Sequence, residues 1–302
     1  MSVYRTSFPA KLAYADPLVR ERWAACCSEG QSSYEFWMGS GMHIGLFLSP
    51  DMAAFGITPH DRFLDPTKIA KESWDPDVDP EEVVEVLRRA RVEDASGGSD
   101  WHPVIEALVR TAPKGNLIHW PLNWRDLRPE MISRGGRVIQ IGDAAHSTIP
   151  SSAAGGTLAV EDAVTLASCL QLAAASCPGA GGSTVPLAAK VYNLLRYQRA
   201  SCTQKMAFVN AQVLGGTTDW EEAKRQPEKF RLRYPRWLFR HDPEAYAYEQ
   251  YGRAVAHLVA GQEFKNTNIP PGHNFVHWTL DDIQKQMAAG KRVEDFLDGD
   301  WS

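Results

Sequence analysis

Between Arg137 and Ala163 the chain reads RVIQIGDAAHSTIPSSAAGGTLAVEDA, and its chemistry is concentrated there. Val138, Ile139 and Ile141 form a short β-branched apolar run, which predicts a buried strand. Gly142-Asp143 ends the run, a Pro/Ser-rich loop follows, and an apolar-periodic helix is expected from near Gly156 toward Ala175. A carboxylate at a strand's C-terminal end, facing a glycine-opened helix N-terminus, suits a ligand with hydroxyls and developing negative charge. Asp143 would accept from such a hydroxyl, or, more plainly, bond its own turn. Gly155 and Gly156 lack Cβ atoms, so their N–H groups can approach a planar ring, unless they are ordinary helix-start glycines. His146 is expected to satisfy loop backbone. Glu161 and Asp162, one turn into the helix, suit its dipole as structural residues.

The order Gly142, Asp143, Ala144, Ala145, His146, then Pro150, Gly155 and Glu161-Asp162-Ala163, resembles a known motif. It is the second FAD-binding motif of the class A flavoprotein monooxygenases, the salicylate-hydroxylase-like aromatic hydroxylases. Other stretches extend the resemblance over roughly Val3–Leu214. Val3-Tyr4-Arg5 resembles the family's mid-chain strand, and Ile118–Leu127 the strand leading into the motif. YNLLRYQRASCTQ resembles its Y-E-x-x-R-x-x-R helix, with Asn193 in place of the acidic residue. The resemblance implies an α/β (α+β) chain with a partial class A flavin monooxygenase (PHBH-like) fold. A substrate-binding sheet with helices would occupy 1–125, a partial FAD-binding segment with a long helix 126–215, and a helical or irregular region 216–302. It also implies that Gly142 and Asp143 hold the ribityl chain of FAD, that Pro150 faces the flavin, and that Gly155 and Gly156 meet its N1/O2 edge.

Ser33–Ser49 is aromatic and β-prone around a Gly-containing turn, which predicts a hairpin. The matching family stretch roofs the substrate pocket with the pattern H-x-x-x-Y-P. His43 stands at the His and is the candidate catalytic residue, with a purely structural role as the alternative. Phe47 replaces the Tyr, and Leu48 the Pro. Losing that phenol removes a donor and an ionisable partner for a phenolic substrate. Trp37, Phe47, Trp120 and Trp124 are candidate substrate-binding walls. The implied activity is hydroxylation of an aromatic or polyketide-like small molecule with FAD, NAD(P)H as co-substrate, and O2. A complete member would open with a G-x-G-x-x-G turn for the ADP half of FAD. No such turn occurs, and Gly39-Ser40-Gly41 is the nearest approach. The chain is therefore expected to be the rear portion of the fold, truncated or completed by a partner chain or a second copy. Loss of FAD stays open, and with it a flavin-independent isomerase, cyclase or dehydratase in the old pocket, or a non-catalytic binding protein.

The positioning elements are legible at coarse grain. Asp16 and Pro17 open a short helix over Pro17–Cys27, Asp79-Pro80 another, and Asp100 is expected to cap a third. Lys190–Val213 and Ala245–Leu258 have helical spacing, and Asn266–Trp278 is extended or turning. Length 302, 44% hydrophobic residues and ten Trp allow one large or two small well-filled domains. A net charge of −5 excludes a general nucleic-acid or acidic-membrane partner. Five cysteines without a CxxC pattern read as free thiols in a reducing compartment. With no apolar leader, and with Glu161 and Asp162 interrupting Ala153–Ser176, no membrane span is expected. The location expected is cytoplasmic. No metal-ligand spacing is present.

Overall fold

The computed structural model describes residues 1–28, 30–39, 41–67, 74–90, 101–215 and 220–302. They form two compact units, 1–123 with 212–231 and 124–211 with 232–302.

The first unit is built on strands β1 (Ser2–Pro9), β2 (Ser33–Gly39), β3 (Met42–Leu48), β4 (Met52–Pro59) and β5 (Ile118–Pro121). They pair in the order β2-β3-β4-β1-β5, every neighbour antiparallel. Alternation gives the sheet two unlike faces. Along β3, Met42, Ile44, Leu46 and Leu48 are buried, whereas His43, Gly45 and Phe47 are only partly covered. Helix α1 (Pro17–Arg22) starts as its sequence predicts, the Asp16 carboxylate accepting from the amides of Leu18 and Val19. It breaks at Trp23, whose indole donates to Glu35 at 2.9 Å, and a second short helix, Ala24–Ser28, carries the expected helical span past Cys27. The buried sheet face packs on α2 (Pro80–Arg89) and α3 (Pro103–Arg110) through Val83, Val84, Leu87, Val104, Ile105 and Leu108. Asp79 caps α2. The N-cap of α3 is His102, whose Nδ1 accepts from the Val104 amide at 3.2 Å; the expected cap, Asp100, lies outside the described residues.

The second unit is organised by α4 (Gly155–Ser176), α5 (Val185–Gly215, its last four residues counted with the first unit), α6 (Pro243–Ala260) and α7 (Leu280–Ala288). Each long helix exceeds its expected span by a few residues at one or both ends. Asp242 and Pro243 open α6, and Gly261, at φ 68°, closes it. Helix α4 is long and apolar enough to cross a membrane. However, its Glu161 and Asp162 are buried against arginines of α5, the setting of a core helix. The four described cysteines, Cys26, Cys169, Cys177 and Cys202, are free.

The buried strand expected at Val138–Ile141 does not form. Val138 is 67% exposed and Ile141 39%. The segment is extended, but it pairs only through a bridge between Ile132 and Ile139. A β-branched run becomes a core strand when neighbouring strands cover its faces and edges, and the described residues supply one bridging partner.

Candidate active site

The GDAAH turn is held from behind by a buried charge network. Gly142 sits at φ 56°, a backbone conformation open to glycine, and precedes one helical turn, Asp143–His146. Its amide donates to Asp162 Oδ2 at 2.9 Å, and His146 Nε2 hydrogen-bonds the same oxygen at 2.5 Å. Arg196 on α5 donates from Nε to Asp162 Oδ1 and from Nη1 to Glu161 Oε2, both at 2.7 Å. Arg199, one turn on, grips Glu161 with Nε and Nη2, again at 2.7 Å. It also donates to the carbonyls of Trp237, Leu238 and Asn268. Two carboxylates thus meet two guanidiniums, Arg199 gripping Glu161 in bidentate fashion and Arg196 bridging Glu161 and Asp162. Burial alone would raise both carboxyls. For Asp162 the His146 hydrogen bond and the Arg196 charge outweigh it, and for Glu161 the Arg199 bond does, so both are held below their ordinary values.

This corrects two expectations. His146 bonds Asp162 rather than loop backbone, and its Nδ1 is buried with no partner among the described residues. Glu161 and Asp162 are structural, but through α5 rather than through the dipole of their own helix. Asn193 explains its departure from the family's acidic residue. Its Oδ1 accepts from the Met131 amide at 2.7 Å while its Nδ2 donates to the Pro129 carbonyl at 2.9 Å, a pairing no carboxylate can make.

The expected ligand-facing residues Asp143, Pro150, Gly155 and Gly156 are all at least partly exposed. Asp143 is exposed, and the carbonyl of Ala144 beside it accepts from Arg125. Pro150, also exposed, opens a short 3-10 turn that ends at Ala153 in the left-handed region, φ 52°. Ala154 then starts the 22-residue α4 without a side-chain cap and without an acidic residue in the first turn. Nothing lies within 4 Å of where a Cβ would stand on Gly155 or Gly156. The donor set is therefore one exposed carboxylate beside a positive helix end whose first N–H groups have no side-chain acceptor. This fits the ribityl chain and the electron-poor-to-anionic ring edge of a flavin.

The open face of the sheet carries the remaining candidates. His43 pairs across with Met38 and Thr58, Gly45 with Phe36 and Gly56, and Phe47 with Tyr34 and Ala54. Arg5 lies opposite Gly56 and Ile118, and its guanidinium stands 5.3 Å from the Trp120 ring. Gly45 and Gly56 leave a bare centre edged by Phe36, His43, Phe47 and Arg5. Burial pushes His43 down to about 4, and its Nδ1 has no partner among the described residues. The imidazole is therefore neutral near pH 7. Trp37 pairs with Ile44, on the helix-covered face; its indole donates to Glu35 at 2.9 Å and its ring meets His102 edge-on. His43 and Phe47 thus lie side by side on this face, Trp120 lies on the same face three strands away, and Trp37 is on the other face. Trp124 belongs to the second unit, where it donates to Asp126 at 2.9 Å and packs against Phe208 and Trp278. Arg5, Phe36 and the two glycines were not singled out as site residues. For Arg5, Phe36 and Gly45 parity along β1, β2 and β3 was the available signal; Gly56 lies on β4.

Comparison with known proteins agrees with this geometry. The family described as "FAD binding domain" matches residues 117–182. The FAD-dependent monooxygenase nsrK of Aspergillus novofumigatus (strain IBT 16806) is 65% identical over 307 residues, covering 100% of this chain and 56% of nsrK. Among solved structures, native FqzB superposes with a TM-score of 0.71 at 24% identity, over 89% of this chain and 57% of FqzB. A salicylate hydroxylase substrate complex does so with a TM-score of 0.55 at 21% identity, over 84% of this chain and 56% of the hydroxylase. The chain spans a little over half the length of the curated relatives it matches. With the clamped GDAAH turn, the open helix start and the antiparallel sheet all in place, the chain is similar along its whole length to just over half the length of curated FAD-dependent monooxygenases, and its fold is that seen in salicylate hydroxylase.

Proposed function

We propose that this chain works in a FAD-dependent monooxygenase that hydroxylates an aromatic or polyketide-like small molecule, with NAD(P)H and O2 as co-substrates. The observation that carries the reading is the exposed Asp143 beside the uncapped, Gly155-Gly156 start of α4, both anchored by the Asp162–Arg196 clamp. The names of the curated relatives support the cofactor and the reaction type. When bound, FAD would carry two electrons from the nicotinamide to O2, which supplies the oxygen atom given to the substrate. Asp143 accepts from a ribityl hydroxyl, and the N–H groups of Gly155 and Gly156 donate to the ring edge that gains negative charge. Pro150 borders the same surface. Phe47 and Phe36 offer aromatic packing at one side of the sheet face and Trp120 at the other, with Gly45 and Gly56 between them adding no side chain of their own. His43, neutral near pH 7, offers a hydrogen bond there without a competing charge. With Phe47 in place of a phenol, that position contributes packing and no proton transfer.

The test is turnover of phenolic polyketides with FAD and NADPH under ¹⁸O2. Substrate-stimulated NADPH oxidation and one ¹⁸O atom in the product are expected. Turnover that proceeds equally without flavin and NADPH would overturn the reading in favour of a flavin-independent rearrangement.

A further inference from the structure

Within the second unit, helix α5 and the segment 273–298 enclose a cavity of about 680 Å³ whose lining includes no residue of the GDAAH turn. We propose that this cavity binds a planar, singly charged aromatic anion, with Lys205 as its counter-charge. Lys205 is 8% exposed, yet no carboxylate among the described residues stands within ion-pair distance of it. Its ammonium lies 5.6 Å from the Trp278 ring. An ammonium taken out of water without a carboxylate partner is costly, and an anion in the cavity relieves that cost.

None of the acids that line the cavity forms an ion pair with Lys205; Asp298 acts on it only at a distance, and all three accept from other donors. Asp282 accepts from the amide and hydroxyl of Thr279, and Asp295 from the Arg292 amide. Asp298 accepts from His273 Nδ1 and from the Asn274 amide. Lys285 on the lining is tied to Asp281 at 2.5 Å, and Lys291 donates to Gln286. The apolar walls of the cavity include Trp278, Ile283 and Phe296, with Trp278 facing Lys205 and Phe296 facing Lys291. A cation set among aromatic and aliphatic walls selects a ring that carries one carboxylate or phenolate. The three lining carboxylates disfavour a multiply charged phosphate ester. A volume of this size lies within the usual range for small-molecule sites.

The experiment is calorimetric titration of the chain with 2-naphthoate and with 2-naphthamide, its uncharged counterpart. The naphthoate is expected to bind, and the naphthamide to bind at least about tenfold more weakly, as a lost charge-assisted contact requires. Lys205→Met should lose naphthoate binding by a similar factor, Lys205→Arg should retain it, and Phe47→Ala, on the sheet, should leave it unchanged. Lys205→Met should melt at or above the wild-type temperature, since it removes a desolvated charge. Equal binding of the amide, retention in Lys205→Met, loss in Phe47→Ala alone, or no naphthoate binding to the wild type would each overturn the proposal. The two naphthyl probes are compared on the wild-type chain, so a folding defect in any variant leaves that arm decisive.

Discussion

On the open face of the sheet, His43 has lost most of the water around its ring, and burial pushes it down to about 4. The consequence for stability has a definite sign. Above pH 6.5 the ring is neutral whether the chain is folded or unfolded. Between 6.5 and about 4 the unfolded chain takes up a proton that the folded chain refuses. Stability therefore falls as pH drops through that window, by up to about 1.4 kcal/mol per pH unit. His241 is pushed down to about 4 as well, so it contributes its own share. His43→Gln should remove the His43 share, seen as a smaller difference between urea midpoints at pH 7 and pH 5. Identical differences in variant and wild type would show that His43 is solvated. Residue roles were legible where parity within one strand sufficed: His43 and Phe47, four apart, share a face as their spacing predicts. Trp37 was not, because its face depends on register with β3. A shift of one residue sends a side chain to the opposite side, and no spacing within β2 fixes that register.

The joint between α4 and α5 is an element-scale device. Glu161 and Asp162 answer to Arg196 and Arg199, and through Asp162 the joint reaches the Gly142 amide. Removing one member leaves a buried charge with fewer partners. Arg199→Leu also orphans three carbonyls, those of Trp237, Leu238 and Asn268. It should cost about 3–5 kcal/mol of unfolding free energy. A double-mutant cycle with Glu161→Leu should return a coupling above about 1 kcal/mol, read from denaturant midpoints. A cost under about 1 kcal/mol would mean that the pair is solvated. Both halves of the joint stood in the sequence as motif letters, but their partnership did not, because 34 to 38 residues separate the bonded pairs. Helices α4, α5 and α6 were readable from periodicity and α1 and α2 from their caps, whereas α7, opened by the Thr279 capping box, was not singled out. Strand β4, MAAFGITP, was missed because its outward positions are Ala, Gly and Thr, a weak polar half to an alternating pattern. Val138–Ile141 failed in the opposite way. Its residues favour a strand, and the described residues supply it with a single bridge.

At the scale of the whole molecule, the reading we propose gives the 302 residues receptors for one half of the cofactor. Asp143 and the open start of α4 would hold the ribityl chain and the ring, while the sequence holds no G-x-G-x-x-G turn for a pyrophosphate. If affinity resides in the ring and its ribityl chain, the adenosine diphosphate portion adds little on this chain. Riboflavin, FMN and FAD should then bind it within about tenfold of one another, measured by quenching of flavin fluorescence. Asp143→Ala should weaken all three together by about tenfold to a hundredfold, the worth of one charge-assisted hydrogen bond of roughly 1.5–3 kcal/mol. The fold should hardly notice, because the Asp143 side chain is exposed and the turn is anchored by the Gly142 amide instead. FAD binding a hundredfold tighter than riboflavin would place a receptor for the ADP half somewhere in this chain. Unchanged affinity for all three flavins in both Asp143→Ala and Asp143→Asn would remove Asp143 from the site.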